Sequence, residues 1–201
     1  MAGEERIEYP MTPRIVTAGV GGGLIAVLAA FGVMTVPVVP GVAGIYPAIA
    51  FIVAFGAWFG IWGAIAAYIG CFIGAGIVGG VPLAINVYWS LADFWEALIP
   101  AIGFKLFKAD PELKNKKDWA IFWVFGVFLG NLIGAAWGST TLAIAPPGVK
   151  PVIPWSAVFW PTFVFWFVGN ILVTAIVSPL LLIGLSKYIK RTSVYCEGLI
   201  K

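Results

Sequence analysis

Between Arg14 and Asp93 the chain carries no charged residue at all. A stretch of that length without charge cannot cover a water-soluble domain, in which about a quarter of residues are charged. The remainder is little different: of 201 residues, 61% are apolar and 10% charged, and the mean hydropathy is +1.01. Such a composition identifies an integral membrane protein. A helix rises about 1.5 Å per residue and needs about 20 residues to cross a hydrocarbon core of ~30 Å. The chain therefore accommodates about six short-looped spans, and no separate soluble catalytic or nucleotide-binding domain.

Composition also excludes several chemistries. There is no histidine, which removes the commonest metal ligand and the usual general base near neutral pH. The two cysteines, Cys71 in an apolar run and Cys196 in the polar tail, do not suggest a disulfide framework. No Gly-x-x-x-x-Gly-Lys-Ser/Thr phosphate loop occurs, so the chain cannot itself use ATP. No carboxylate and nucleophile stand in a hydrolase pattern. The expectation is a protein that is not an enzyme and needs neither metal nor cofactor. The net charge of +3 is small and implies no nucleic-acid partner. Glu4, Glu5 and Glu8 ahead of Pro10 are unlike the basic opening of a cleaved signal peptide, so the first apolar run is read as a retained span.

That run goes from Ile15 to about Val36. The segment Val36–Pro47, with closely spaced prolines and glycines, reads as a loop or broken helix at the membrane edge. Apolar stretches follow over about 46–58 and 59–78, with the turn marked by Gly56, Gly60 and Gly63, and Gly79-Gly80-Val81-Pro82 ends the second of them. A fourth span starts at Ser90, where Ser90-Leu-Ala-Asp93 has the form of a capping box, and runs to Phe107. The fifth covers about 119–145. After the Pro-rich link 146–154, the sixth covers about 155–185.

Basic residues orient these spans, because short cytoplasmic loops carry the lysines and arginines. Arg14, the loop holding Lys105, Lys108, Lys114, Lys116 and Lys117, and the tail with Lys187, Lys190 and Arg191 all belong on the cytoplasmic side. An even number of crossings must then separate each from the next. The expected fold is an all-α integral membrane protein of the cell membrane. It is one multi-pass bundle of about six transmembrane helices with both termini cytoplasmic, having a cytoplasmic segment 1–14, loop 108–118 and tail 187–201.

Three features bear on function. Ala18, Gly22, Ala26 and Ala30 recur every fourth residue as a smooth stripe, which serves either packing inside this bundle or docking of a separate membrane subunit. Asp93 and Glu96 are the acidic residues inside a span, on one helical face. A charge at the bilayer centre costs at least about 2.5–3.5 kcal/mol, so such residues point to function. Asp93 reads either as a helix cap or as a ligand group; Glu96, one turn deeper, reads as a ligand-facing or proton-sensitive group. Finally, Asn86, Tyr88 and Trp89 precede that helix, while Asn131, Trp137, Ser139, Thr140, Thr141, Trp160 and Asn170 add amides, hydroxyls and flat rings in the last two spans. Such groups orient a small molecule in an apolar pocket, or form an interfacial tryptophan belt and interhelical hydrogen bonds. The candidate ligand-binding set is Asn86, Tyr88, Trp89, Asp93, Glu96, Asn131, Trp137 and Asn170.

On its size, its spans, the stripe Ala18-Gly22-Ala26, the corner from Gly56 to Gly70 and the helix start from Ser90 to Pro100, the chain resembles the substrate-binding S components of energy-coupling factor vitamin transporters. It departs from them in having Ala57 or Ile61 where the family's corner often has proline. The resemblance implies a six-helix bundle that binds a small organic, vitamin-like ligand from outside. It implies a pocket built from the loop Pro37–Pro47, from Asn86–Trp89 and from the outer ends of the last three helices. It further implies docking, through Ala18, Gly22 and Ala26, on a membrane coupling subunit driven by cytoplasmic ATPases. Two other classes remain open: a membrane sensor or accessory subunit of a larger complex, and a small channel or proton-coupled carrier using Glu96.

Overall fold

The computed structural model describes residues 11–156 and 158–200; the acidic segment 1–10 lies outside them. The chain is mostly helical. Three helices are long and apolar enough to cross a membrane: α1, Met11–Thr35; α6, Lys116–Ala143; and α7, Phe159–Ile189. Between them lie shorter helices: α2, Ala48–Phe59; α3, Ile61–Ile77; α4, Leu83–Trp89; and α5, Leu91–Leu106. A two-stranded antiparallel ribbon, β1 (Pro37–Val39) with β2 (Val42–Ala43), connects α1 to α2.

The uncharged stretch breaks at Gly60. Its φ of +58° is a left-handed conformation that glycine adopts without strain, and it turns α2 back against α3. At Gly63 a methyl group would overlap the Phe55 carbonyl, so the two helices touch backbone to backbone. Twelve residues make α2 about 18 Å long, well short of a bilayer core. Eleven of them, Phe51 excepted, are buried. A helix apolar on every side belongs in the middle of a bundle, and α2 sits there, packed by α1, α3, α5 and α7.

The small-residue stripe of α1 faces inward. Ala18, Gly22 and Ala26 are buried against α3, where a methyl on Gly22 would meet Ile69 at 3.0 Å and one on Gly74 would overlap the Ala26 carbonyl. Close approach of backbones through small residues is how helices associate in lipid, and here the stripe is consumed within the chain. The side of α1 left exposed is Ile15, Val16, Val20, Val27, Phe31 and Met34. Docking through Ala18, Gly22 and Ala26 is therefore corrected: a separate subunit cannot reach them while α3 is in place.

Two wide, π-helical turns interrupt the ladder, Cys71–Ile77 in α3 and Phe122–Leu129 in α6. Such turns leave main-chain carbonyls in need of donors, and a bilayer offers no water to supply them. Asn86 Nδ2 donates to the Phe72 carbonyl at 2.9 Å, and Asn131 Nδ2 donates to those of Val127 (2.8 Å) and Gly126 (3.3 Å).

Arg14, Lys105 and Lys190 gather at one end. Lys190, just past α7, donates to Asp110 (3.1 Å) and Glu112 (3.0 Å) of the loop after α5, and Arg14 lines a groove with Lys190, Thr192 and Tyr195. The tail folds beneath the α2–α3 turn: Cys196 N donates to the Trp58 carbonyl (2.9 Å), Ile61 N to the Leu199 carbonyl (2.8 Å), and Lys105 Nζ to the Cys196 carbonyl. The ribbon occupies the opposite end. That arrangement places Arg14, the 108–118 loop and the tail together.

Candidate functional site

Asp93 and Glu96 lie one turn apart near the start of α5, and both are buried. The capping-box expectation for Ser90 and Asp93 does not hold. Helical backbone continues through Ser90, whose amide donates to the Asn86 carbonyl at 2.9 Å, so there is no free helix end to cap. The Ser90 hydroxyl donates instead to Asn86 Oδ1 at 2.8 Å. Asp93 is released to accept from the Tyr46 hydroxyl at 2.7 Å, bridging α5 to the segment just before α2.

Glu96 reaches α7. Its Oε1 accepts from Asn170 Nδ2 at 3.0 Å and from Trp166 Nε1 at 3.2 Å. Space for this comes from α6, where methyl groups at Gly134 and Gly138 would overlap the Glu96 carboxylate and the Trp166 ring. Pro100, inside α5, has no N–H to give the Glu96 carbonyl and bends helices at that point. The Trp166 ring lies edge-on to Trp89, with centroids 5.7 Å apart.

These groups surround a cavity lined by Gly41, Val42, Ala43, Tyr46, Ala75, Trp89, Asp93, Trp166 and Asn170. The ribbon forms its roof. Gly44 rests on α7, where a methyl at Gly169 would meet the Gly44 carbonyl at 2.5 Å, and Gly41 (φ +81°) lies against Trp89 and Val81. As closed, the cavity holds about 10 Å³, room for about one water. Three polar atoms here are buried without a hydrogen-bond partner: Asp93 Oδ1, Glu96 Oε2 and Trp89 Nε1. Buried polar atoms are nearly always paired; five others, on Trp95, Asp118, Asn131, Ser139 and Thr162, also lack a partner, and what sets this group apart is that Trp89 and Asp93 line the cavity.

Of the sequence candidates, Trp89, Asp93, Glu96 and Asn170 come together. Asn86 lies one turn before Ser90 with both amide atoms engaged in the π-helical contact and the serine bond. Asn131 sits apart, bonded to its own helix and to Thr174 (3.3 Å). Tyr88 and Trp137 belong to a shallow apolar groove on the outside of α4 and α6, where Trp137 Nε1 donates to the Tyr88 carbonyl at 2.8 Å. Tyr46 and Trp166 were not among the candidates. Tyr46 stands in a Pro/Gly loop that the resemblance assigned to the pocket as a whole, and Trp166 is one tryptophan among ten.

No family model, curated protein or solved structure matches this chain. What it does must be argued from the site. Aromatic walls, one amide, one lining carboxylate and a second carboxylate behind it can orient and hold a small molecule. Among the described residues no group of three or more metal-ligating side chains occurs.

Proposed function

We propose that this chain is a membrane-embedded ligand-binding subunit of a small-molecule uptake system, of the kind its resemblance to S components implies. The ligand reaches the cavity from the ribbon end, which faces outward, and the end with Arg14, the 108–118 loop and the tail faces the cytoplasm. In this reading all six apolar helical segments, α1, α2, α3, α5, α6 and α7, belong to the membrane-embedded bundle, and the shortness of α2 is tolerated because protein surrounds it. The observation that carries the proposal is the convergence of Tyr46, Trp89, Asp93, Trp166 and Asn170, from four separate chain segments, on one cavity beneath the ribbon. With no phosphate loop, the chain relies on an ATP-driven partner. Such a partner would meet the exposed side of α1, since the small-residue stripe is occupied by α3.

Native mass spectrometry of the full chain in mild detergent tests this. The expected result is a retained small molecule that is lost in Trp166→Phe and Asn170→Ala variants with near wild-type melting temperatures. No retained molecule, together with no stabilisation by any member of a micronutrient panel, would overturn it.

One observation favours a second reading. Glu96 Oε2 is buried without a partner, as a proton-carrying group in a carrier would be. In proteoliposomes, Glu96→Gln should then abolish the pH dependence of flux; a pH-dependent flux that survives the substitution removes this alternative.

A further inference from the structure

We infer that the ligand of this cavity is an organic cation, a protonated amine on a flat or heteroaromatic body, held by Asp93 Oδ1 from below and by the rings of Trp89, Trp166 and Tyr46 at its sides. This rests on the reading of the cavity as a ligand site and adds to it the charge and shape of the occupant.

The argument begins with the balance of buried charge. Buried charged side chains among the described residues are Arg14, Asp93, Glu96 and Asp118. Arg14 and Asp118 lie at the tail end, so among the described residues the ribbon end holds two buried carboxylates and no buried basic side chain, Lys150 of the 146–154 link being exposed. Both carboxylates are arranged as acceptors. Asp93 Oδ2 takes the Tyr46 hydroxyl and Glu96 Oε1 takes two N–H donors, while Asp93 Oδ1 and Glu96 Oε2 stand open. Asp93 lines the cavity directly, and Glu96 lies behind Asn170 and Trp166, which line it. Two carboxylates one turn apart in a desolvated site already disfavour each other's charge, and an anionic ligand would add to that cost. A cation placed against Asp93 compensates the pair at the depth where uncompensated charge is most costly.

The walls fit the same chemistry. Tryptophan faces are the strongest aromatic partners of a cation, more so when both are desolvated, and two tryptophans and a tyrosine line this cavity. Trp89 Nε1 is a donor without an acceptor. The occupant therefore carries an acceptor atom near its charged group, as heteroaromatic amines do. A volume of about 10 Å³ does not admit such a molecule, so the ribbon lifts on binding; the contacts that hold it are those of Gly44 on Gly169 and of Gly41 on Val81 and Trp89.

The test uses the full chain in detergent and measures melting temperature and Kd. The probes are benzylammonium, tryptamine and 4-aminopyridine, matched against benzyl alcohol, benzoate, sodium and potassium. At least one amine should stabilise the wild type and bind Asp93→Asn at least about tenfold more weakly, with Asp93→Glu recovering part of the loss and Asp93→Asn alone melting near the wild type. Equal or better binding of the neutral or anionic counterparts, lost in Trp166→Phe, would overturn the cationic assignment while leaving the cavity a ligand site. Stabilisation by sodium or potassium equal to that by the amines would reassign it to an inorganic ion. No binding by any probe, with no small molecule retained from the membrane, would remove both readings.

Discussion

Glu96 occupies a position that each neighbouring helix has been shaped to fit. Gly134 leaves room for its carboxylate, Gly138 leaves room for the Trp166 ring that bonds it, and Asn170 supplies the second donor. A Gly134→Ala variant has no free space for its methyl, and overpacking of this kind costs about 1–3 kcal/mol. It should lower the melting temperature and weaken ligand retention. The double variant Gly134→Ala with Glu96→Ala should regain part of the loss in melting temperature. A melting temperature unchanged in Gly134→Ala would show that the carboxylate does not fill that space. The residue scale also explains why asparagines mislead. Asn86 and Asn131 look like ligand groups in a one-dimensional list, yet each satisfies carbonyls left open by a π-helical turn. Asn170, chemically identical, faces the cavity. Nothing local in the sequence separates the three.

Among the elements, the α1–α3, α2–α3 and α2–α5 contacts all depend on the absence of side chains. Gly22→Leu would force a branched side chain into Ile69 and the Ala66 carbonyl. Its expected effect is loss of folded protein, read as a lower melting temperature and early elution as aggregate; a variant that folds normally but fails only in assembly would restore the docking role of the stripe. At the α2–α3 turn, Gly60→Ala combines a left-handed φ with overlap of the Leu199 carbonyl, so backbone strain of about 1–3 kcal/mol adds to displacement of the tail. Proteolysis should then cut within 192–200 faster than in the wild type. The turn was legible as a cluster of glycines. Which of Gly56, Gly60 and Gly63 makes it was not, because Gly56 and Gly63 are also required, the first against the Ala97 carbonyl and the second against that of Phe55.

For the whole molecule, the tail end is tied together by charge. Burial pushes the Asp110 carboxyl up, but the Glu112 amide and the ammonium groups of Lys190 and Lys114 outweigh it and hold it below its ordinary value; Lys190 and Lys114 likewise hold Glu112 down. Carboxylates with depressed values contribute stability that is present at neutral pH and lost as pH falls through those values, beneath the ordinary carboxylate range. Docking of the tail should therefore weaken in acid, and also in high salt, since these pairs are partly exposed. Hydrogen exchange of residues 192–200 at pH 7 and pH 3 checks this; protection that does not change with pH would mean that the main-chain bonds to Trp58 and Ile61 suffice.

The sequence by itself determined the apolar character and the helical class of the molecule. Where charges are this few, their positions report which segments can leave the bilayer, and the uncharged run from 15 to 92 left helices as its main option. Tertiary structure alone decided the site. Tyr46 meets Asp93, and Trp166 and Asn170 meet Glu96, across separations in the chain that no periodicity encodes. It also decided that the small-residue stripe faces α3. A helix face bears no mark of which neighbour will cover it, and in lipid every face is apolar, so only packing assigns the partner.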